Sequence, residues 1–227
     1  MDSILIYYGL IILGMIIVIG AQINISSNYK KYKAIKLNKK NSGQEVARKI
    51  LDANGLDNVY VVEVPGDLTD HYDPRRKVVK LSTDIFNGET IAAASVAAHE
   101  VGHAIQDKIG YSFMKFRSFL VPYVNFVSYL GYFGLLISLI GGIDSYFKIS
   151  ILVLCVVIVF QLITLPVEFD ASKRAKNELL SLKLIDKKEH DGVGEMLGSA
   201  AMTYVAGLIN NLLQFLRLVL IFGQRND

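Results

Sequence analysis

The chain has 227 residues, 52% of them apolar and 20% charged, with a mean hydropathy of +0.37 and a formal net charge of +3. The apolar residues gather into long uncharged runs separated by strongly charged stretches, which excludes both an ordinary soluble domain and a disordered chain. The basic residues sit mostly beside those runs, where membrane topology accounts for them without a polyanionic partner, and the single Cys155 excludes a disulfide framework or a cysteine-based metal site.

The first run, Ile4 to Ala21, carries no charge and is long enough to cross most of a hydrocarbon core. No basic residue precedes it, so it reads as a retained anchor and not as a secretory signal. Lys30, Lys31, Lys33, Lys36, Lys39 and Lys40 follow as a juxtamembrane signal that also suits anionic lipid. No aromatic pattern accompanies them, so nucleic acid is not an expected partner.

Gln44 to Asn54 has the pattern of a short amphipathic helix ended by Asn54-Gly55. Asn58 to Val64 and Lys77 to Leu81 read as strands, with turns at Pro65-Gly66 and Asp73-Pro74 between them. Ser82 or Thr83 is placed to cap a short turn, and an alanine-rich helix is expected from Glu89 to Lys108. A second apolar run, Phe119 to Ile143, and a third, Ile149 to Val167, are separated by Asp144 to Lys148 and form a transmembrane hairpin. Pro166 is expected to stop or bend the third helix at the interface. His190, among Lys187, Lys188, Glu189 and Asp191, reads as a solvated loop residue. The last run, Met202 to Phe222, carries Asn210, Gln214 and Arg217 at i, i+4 and i+7, a polar stripe that belongs inside a helix bundle or along the interface.

The lysines and arginines that follow the first and third runs place the segments behind them in the cytoplasm. The expected fold is a mainly α membrane protein with about four transmembrane helices and a small cytoplasmic α+β, zincin-like catalytic portion. Its parts are an anchor (1–25), a cytoplasmic α+β segment with the histidine-bearing helix (26–118), a helical hairpin (119–167), a second cytoplasmic segment (168–200) and a C-terminal membrane helix with its tail (201–227).

The chemistry lies in His99-Glu100-Val101-Gly102-His103. On a helix, positions i and i+4 share a face, so both imidazoles can bind one metal ion. The glutamate between them stands where it can take a proton from the water that attacks a carbonyl, which is the chemistry of a zinc peptidase with one zinc per chain. Gly102 leaves room for a metal and for a neighbouring element. A catalytic zinc needs a third protein ligand, and His71, His190 and several carboxylates are candidates. Glu168 stands out, because two membrane crossings after His103 return it to the same side, and a carboxylate at that depth is costly unless paired or metal-bound.

The stretches HEVGHAIQ, TDHYDP, LPVEFDAS and TYVAGLI resemble the YugP-like group of bacterial membrane zinc metallopeptidases over nearly the whole chain. More distantly the chain is similar to the HtpX heat-shock proteases and the prenyl-protein-processing membrane proteases. The resemblance implies peptide-bond hydrolysis, with His99, His103 and Glu168 as metal ligands and Glu100 as general base. The aspartate that the distant relatives place four residues after the third ligand is Ser172 here, which leaves Asp170 as the residue expected to hold a ligand imidazole. Tyr204 and His71 are candidates to steady the oxyanion, and the strand around Val78 is expected to hold a peptide by edge pairing.

The leading expectation is therefore a multi-pass zinc endopeptidase of the cell membrane, acting on membrane or membrane-proximal proteins at the cytoplasmic face. An intramembrane-cleaving protease is a second reading, against which Glu89 and Asp107-Lys108 make the histidine helix too polar and too short to span. A catalytically silent zinc-binding scaffold is a third, against which stands the presence of Glu100, a residue that metal binding alone does not require.

Overall fold

The computed structural model of the chain describes residues 2–66, 69–141 and 145–226. The elements in chain order are α1 (Asp2–Lys33), α2 (Gly43–Ala53), β1 (Tyr60–Val64), β2 (His71–Asp73), β3 (Val78–Ser82), α3 (Thr83–Asn87), α4 (Ile91–Lys108), α5 (Ser112–Gly141), α6 (Ser145–Ser181) and α7 (His190–Asn226). They pack as two units, one of residues 1–22, 116–165 and 203–227, the other of residues 23–115 and 166–202.

Three helices among the described residues are long and apolar enough to cross a membrane: Ile4–Lys33, Ile149–Ser181 and His190–Gly223. The polar-striped run is thus one of the three. The run expected at Phe119 to Ile143 lies in α5, which is not among them, and its last residues, 142 and 143, fall outside the described residues. Within this unit Asn211 Nδ2 donates to Gln161 Oε1 at 2.9 Å and ties α7 to α6. Asn210 faces α1, where a methyl group on Gly14 would come within 2.4 Å of its Oδ1. Asn210 of the stripe thus faces a neighbouring helix, and the hydrogen bond between α7 and α6 comes from Asn211 beside it.

Pro166 neither stops nor ends its helix, since α6 continues to Ser181. The proline forfeits the hydrogen bond to the carbonyl four residues back. Beyond it, however, Val167, Ala171, Ala175 and Leu179 recur at i, i+4, i+8 and i+12, and all are fully buried. That continuous apolar face holds the helix in register where local propensity would have ended it.

The second unit is built around α4. Nearly every residue from Ile91 to Gln106 is buried, and the alanines at 92, 93, 94, 97, 98 and 104 let neighbours approach closely on all sides. Thr90 caps the helix by accepting from the Ala93 amide. Helix α2, begun by a reciprocal Ser42–Glu45 capping box, packs on α4 together with α3, β2 and β3. Ser82 does stand at the N-cap of α3, but its hydroxyl makes no cap bond and donates to the Asp70 carboxylate.

The sheet has the order β1-β3-β2, with β1 parallel to β3 and β2 antiparallel to it. This corrects the expectation that the strand around Val78 pairs with a substrate. That strand, β3, is central and paired on both sides. The three-residue β2 takes the edge that β3 would have offered, and it is too short for a period-two pattern to reveal it.

The lysine cluster is partly absorbed by this unit. Lys31 pairs with Glu195, Lys33 with Asp84, and Lys39 Nζ donates to the Lys183 carbonyl. His190 opens α7 half-buried, beside Asp191 at 3.6 Å, and is not a loop residue.

Helices α4 and α6 meet where Gly102 lies against the Ala171 backbone. A methyl group there would sit 2.7 Å from the Ala171 carbonyl oxygen, a contact that only a shift of one helix can relieve. Gly102→Ala is expected to cost about 1–3 kcal/mol in thermal or denaturant unfolding of the detergent-solubilised protein. In the same assay Gly20→Ala, with nothing within 4 Å, is expected to gain about 0.5–1 kcal/mol from helix propensity.

Candidate metal centre

Helix α4 presents His99 and His103 one turn apart, and α6 brings Glu168 against them. The ligand atoms of these three residues all lie within 4.8 Å of one another. Glu168 Oε2 is 3.2 Å from His99 Nε2 and 3.7 Å from His103 Nε2. A tetrahedral zinc with bonds of about 2.0–2.1 Å holds its donors roughly 3.3 Å apart, so the spacing suits that ion. Glu168 is 2% exposed and His103 6%, whereas His99 is half-buried. The two rings meet edge to face at 83°, so their nitrogens converge from different directions.

The protonation of His103 follows from its neighbours. Gln106 Nε2 spends its hydrogens on the Val167 carbonyl at 2.8 Å and on Asp170 Oδ2 at 2.9 Å. Both partners only accept, so the amide is oriented with Oε1 toward His103 Nδ1, 3.0 Å away. That oxygen requires a proton on Nδ1, which leaves the Nε2 lone pair facing Glu168. On the other ring, Ser172 Oγ lies 3.2 Å from His99 Nδ1, and its hydroxyl can accept a proton from that nitrogen when Nε2 binds a metal ion. Two imidazole lone pairs and a carboxylate oxygen directed at one point repel each other unless a positive charge sits between them. The donor set therefore fits a divalent cation of the zinc class.

The electrostatics agree. Burial disfavours a charged His103 ring, but a second proton, on Nε2, would bond to Glu168 and lie in the fields of Glu100 and Glu168, which together raise the pKa above that of an ordinary histidine. The site favours a cation at Nε2, whether a proton or a metal ion. The pocket attracts positive charge.

The residue expected to hold a ligand imidazole, Asp170, does not touch one. It accepts from Gln106 and from Arg174 Nε at 2.6 Å, and so acts on His103 through the glutamine. The imidazole contact belongs to Ser172, the position read as a departure from the distant pattern. A hydroxyl reaches Nδ1 where a carboxylate would have added charge. Gln106 was missed as well, although its position at i+3 from His103 was legible as a place on the ligand face.

Glu100 is buried beside the two histidines, and its Oε2 accepts from the backbone amide of Tyr72 at 3.0 Å. The Tyr72 hydroxyl donates to Asp107 Oδ2 at 2.7 Å, and Lys77 Nζ reaches the same oxygen at 2.6 Å. Burial, and then the bond to Asp107, push the Tyr72 phenol well above its ordinary pKa, so it remains a donor. Of the other candidates, His71 is exposed on β2 with Nδ1 against the Thr69 carbonyl. His190 pairs with Asp191, and Tyr204 belongs to the other unit.

Two imidazoles from one helix and a buried carboxylate from a second form a donor set that suits one metal ion, and a glutamate stands between the two histidines in the chain. The chain belongs to the family described as "putative neutral zinc metallopeptidase", whose model matches residues 7–223. It is 43% identical over 207 residues to "Putative membrane protease YugP" of Bacillus subtilis, a match that covers 91% of this chain and 92% of that protein. No solved structure matches it. The comparisons carry the YugP-like resemblance, and not the more distant one to HtpX-type proteases.

Gln106→Leu and Ser172→Ala are each expected to weaken zinc binding by about 10–100-fold, the usual effect of losing a partner that orients a ligand histidine. Competition against a chromophoric chelator measures this on the purified protein, and an unchanged affinity in both variants refutes the role given to these contacts.

Proposed function

We propose that the protein is a zinc-dependent membrane endopeptidase that cleaves peptide bonds of membrane or membrane-proximal proteins at the cytoplasmic face. The observation that carries this reading is the convergence of His99 Nε2, His103 Nε2 and Glu168 Oε2 with Glu100 beside them. His99, His103 and Glu168 would hold one zinc ion per chain. Bound zinc would supply a water of lowered pKa and polarise the scissile carbonyl. Glu100 takes the proton from the attacking water as the carbon–oxygen bond forms, and passes it to the amine nitrogen as the carbon–nitrogen bond breaks. Gln106 and Ser172 keep the Nδ1 protons of the two rings engaged, so that neither Nε2 is lost to the wrong tautomer. The burial of Glu100 and His103 supports the reading, because a low local dielectric strengthens each of these interactions.

The lysines behind the first and third apolar runs support a cytoplasmic position for the residues of the second unit. Four crossings, with α5 as the second, satisfy that placement, because an even number of crossings separates His103 from Glu168. The lipid bilayer and a protein or peptide chain are the partners, and nucleic acid is not.

Glu100→Gln is expected to retain zinc and the wild-type unfolding midpoint while cleavage of casein falls about 10²–10⁴-fold. Undiminished cleavage overturns the role of Glu100, and an inactive wild-type protein with full zinc supports a silent scaffold instead. Glu168→Ala is expected to release zinc to a chelator, and full occupancy in that variant removes Glu168 from the ligand set. Cysteines introduced at positions 45 and 180 are expected to resist a membrane-impermeant maleimide in intact cells, and labelling of either reverses the topology.

A further inference from the structure

Strand β2 is three residues long and lies at the edge of the sheet, yet its middle residue is held at both ends. The amide of Tyr72 is spent on Glu100 and not on the ladder, and the ring lies buried with its hydroxyl on Asp107. Glu100 and Asp107 are seven residues apart on α4, two turns along one face. A single side chain and its own backbone therefore bridge two points of the helix that carries the histidines. Lys77, the last residue of the turn into β3, secures the far point by pairing with Asp107. The flanks of β2 are fixed as well, by Asp70 accepting from the Ser82 amide at 2.7 Å and by Asp73 accepting from the Arg75 and Arg76 amides.

The consequence concerns Glu100. A carboxylate on a helix surface has several rotamers, and only one places an oxygen at the attacking water. With Oε2 tied to the Tyr72 amide, the carboxylate plane is set and Oε1 is the oxygen left to take the proton. We propose that Tyr72 is a positioning residue for the general base: its hydroxyl, anchored on Asp107 and Lys77, holds β2 at the height where its amide orients Glu100. This rests on the role of Glu100 proposed above. It assigns a function to Tyr72, Asp107 and Lys77, which lie outside the ligand set.

The test uses the full-length, zinc-loaded protein in detergent micelles, with casein as substrate and hydrogen exchange of the segment 70–76 as a second readout. Tyr72→Phe and Asp107→Leu are expected to lower kcat about ten-fold with KM and zinc content unchanged, a loss within the range that an ångström of misplacement causes. Both are expected to speed exchange of the Tyr72 amide. Asp107→Asn, which keeps an oxygen for the tyrosine hydroxyl, is expected to restore kcat and amide protection. The Tyr72→Phe, Asp107→Leu double variant is expected to be no slower than either single one, since both remove one interaction. Wild-type kcat in Tyr72→Phe, an effect confined to KM, or losses that multiply in the double variant each overturn the proposal. Should Tyr72→Phe fail to fold, the Asp107→Leu and Asp107→Asn pair decides alone. Amide protection that responds to Asp107 in a protein whose Glu100→Gln variant still cleaves casein separates failure of the base assignment from failure of the clamp.

Discussion

The second unit depends on one costly arrangement made stable: a carboxylate, Glu168, buried against the Nε2 atoms of two imidazoles. Burying a carboxylate is costly unless charge and hydrogen bonds compensate it, and here the compensation is organised outward in layers. Gln106 places the Nδ1 proton of His103 away from the centre, Ser172 meets Nδ1 of His99, and Asp170 and the Val167 carbonyl place the Gln106 amide. Arg174 in turn balances Asp170. Every layer is polar, directional and tied to α6 or α4, so the positions of these helices are set by chemistry as well as by packing.

Packing explains how such a network can sit inside a small unit. The alanines of α4 and the glycine at 102 remove side-chain bulk where α6 must come close, and the face of α6 beyond Pro166 fills the remaining space with Val167, Ala171, Ala175 and Leu179. The same residues therefore carry the helix past its proline and hold Glu168 at the right height. Sheet and site are linked through β2, whose amide is used by Glu100 and not by another strand. That strand is at once the covered edge of β3 and a wall of the centre.

Much of this was legible in the primary structure, and the parts that were not share a cause. Apolar runs, the Asn54-Gly55 end of α2, the alanine-rich α4, strands β1 and β3 and the spacing of His99 and His103 are local patterns with strong signals. Strand β2 was not recognised between the turns at Pro65-Gly66 and Asp73-Pro74, because three residues are too few for an alternating pattern. Pro166 was read as a stop or a bend, because local geometry argues for one, and the buried face of α6 carries the helix on to Ser181. His190 was read as a solvated loop residue because its charged neighbours do not reveal that it opens a helix. Ser172 was read as a departure from a distant motif. A motif records residue identity, whereas the ring nitrogen needs only an oxygen within reach, and a serine provides it.

The sequence by itself determined the kind of chemistry, since two histidines and a glutamate at helical spacing on an alanine-rich segment can converge on a metal wherever that helix is placed. It also determined which stretches are apolar enough for a bilayer, because that property sums over neighbours in the chain. Tertiary structure decided the partners: Glu168 as the carboxylate that meets the histidines, Gln106 and Ser172 as the groups that orient them, and Tyr72 as the amide that meets Glu100. These are contacts between residues 28, 69 and 73 positions apart as well as near ones. Hydrogen bonds act over about 3 Å, and no local pattern reports which distant atoms folding brings within that range.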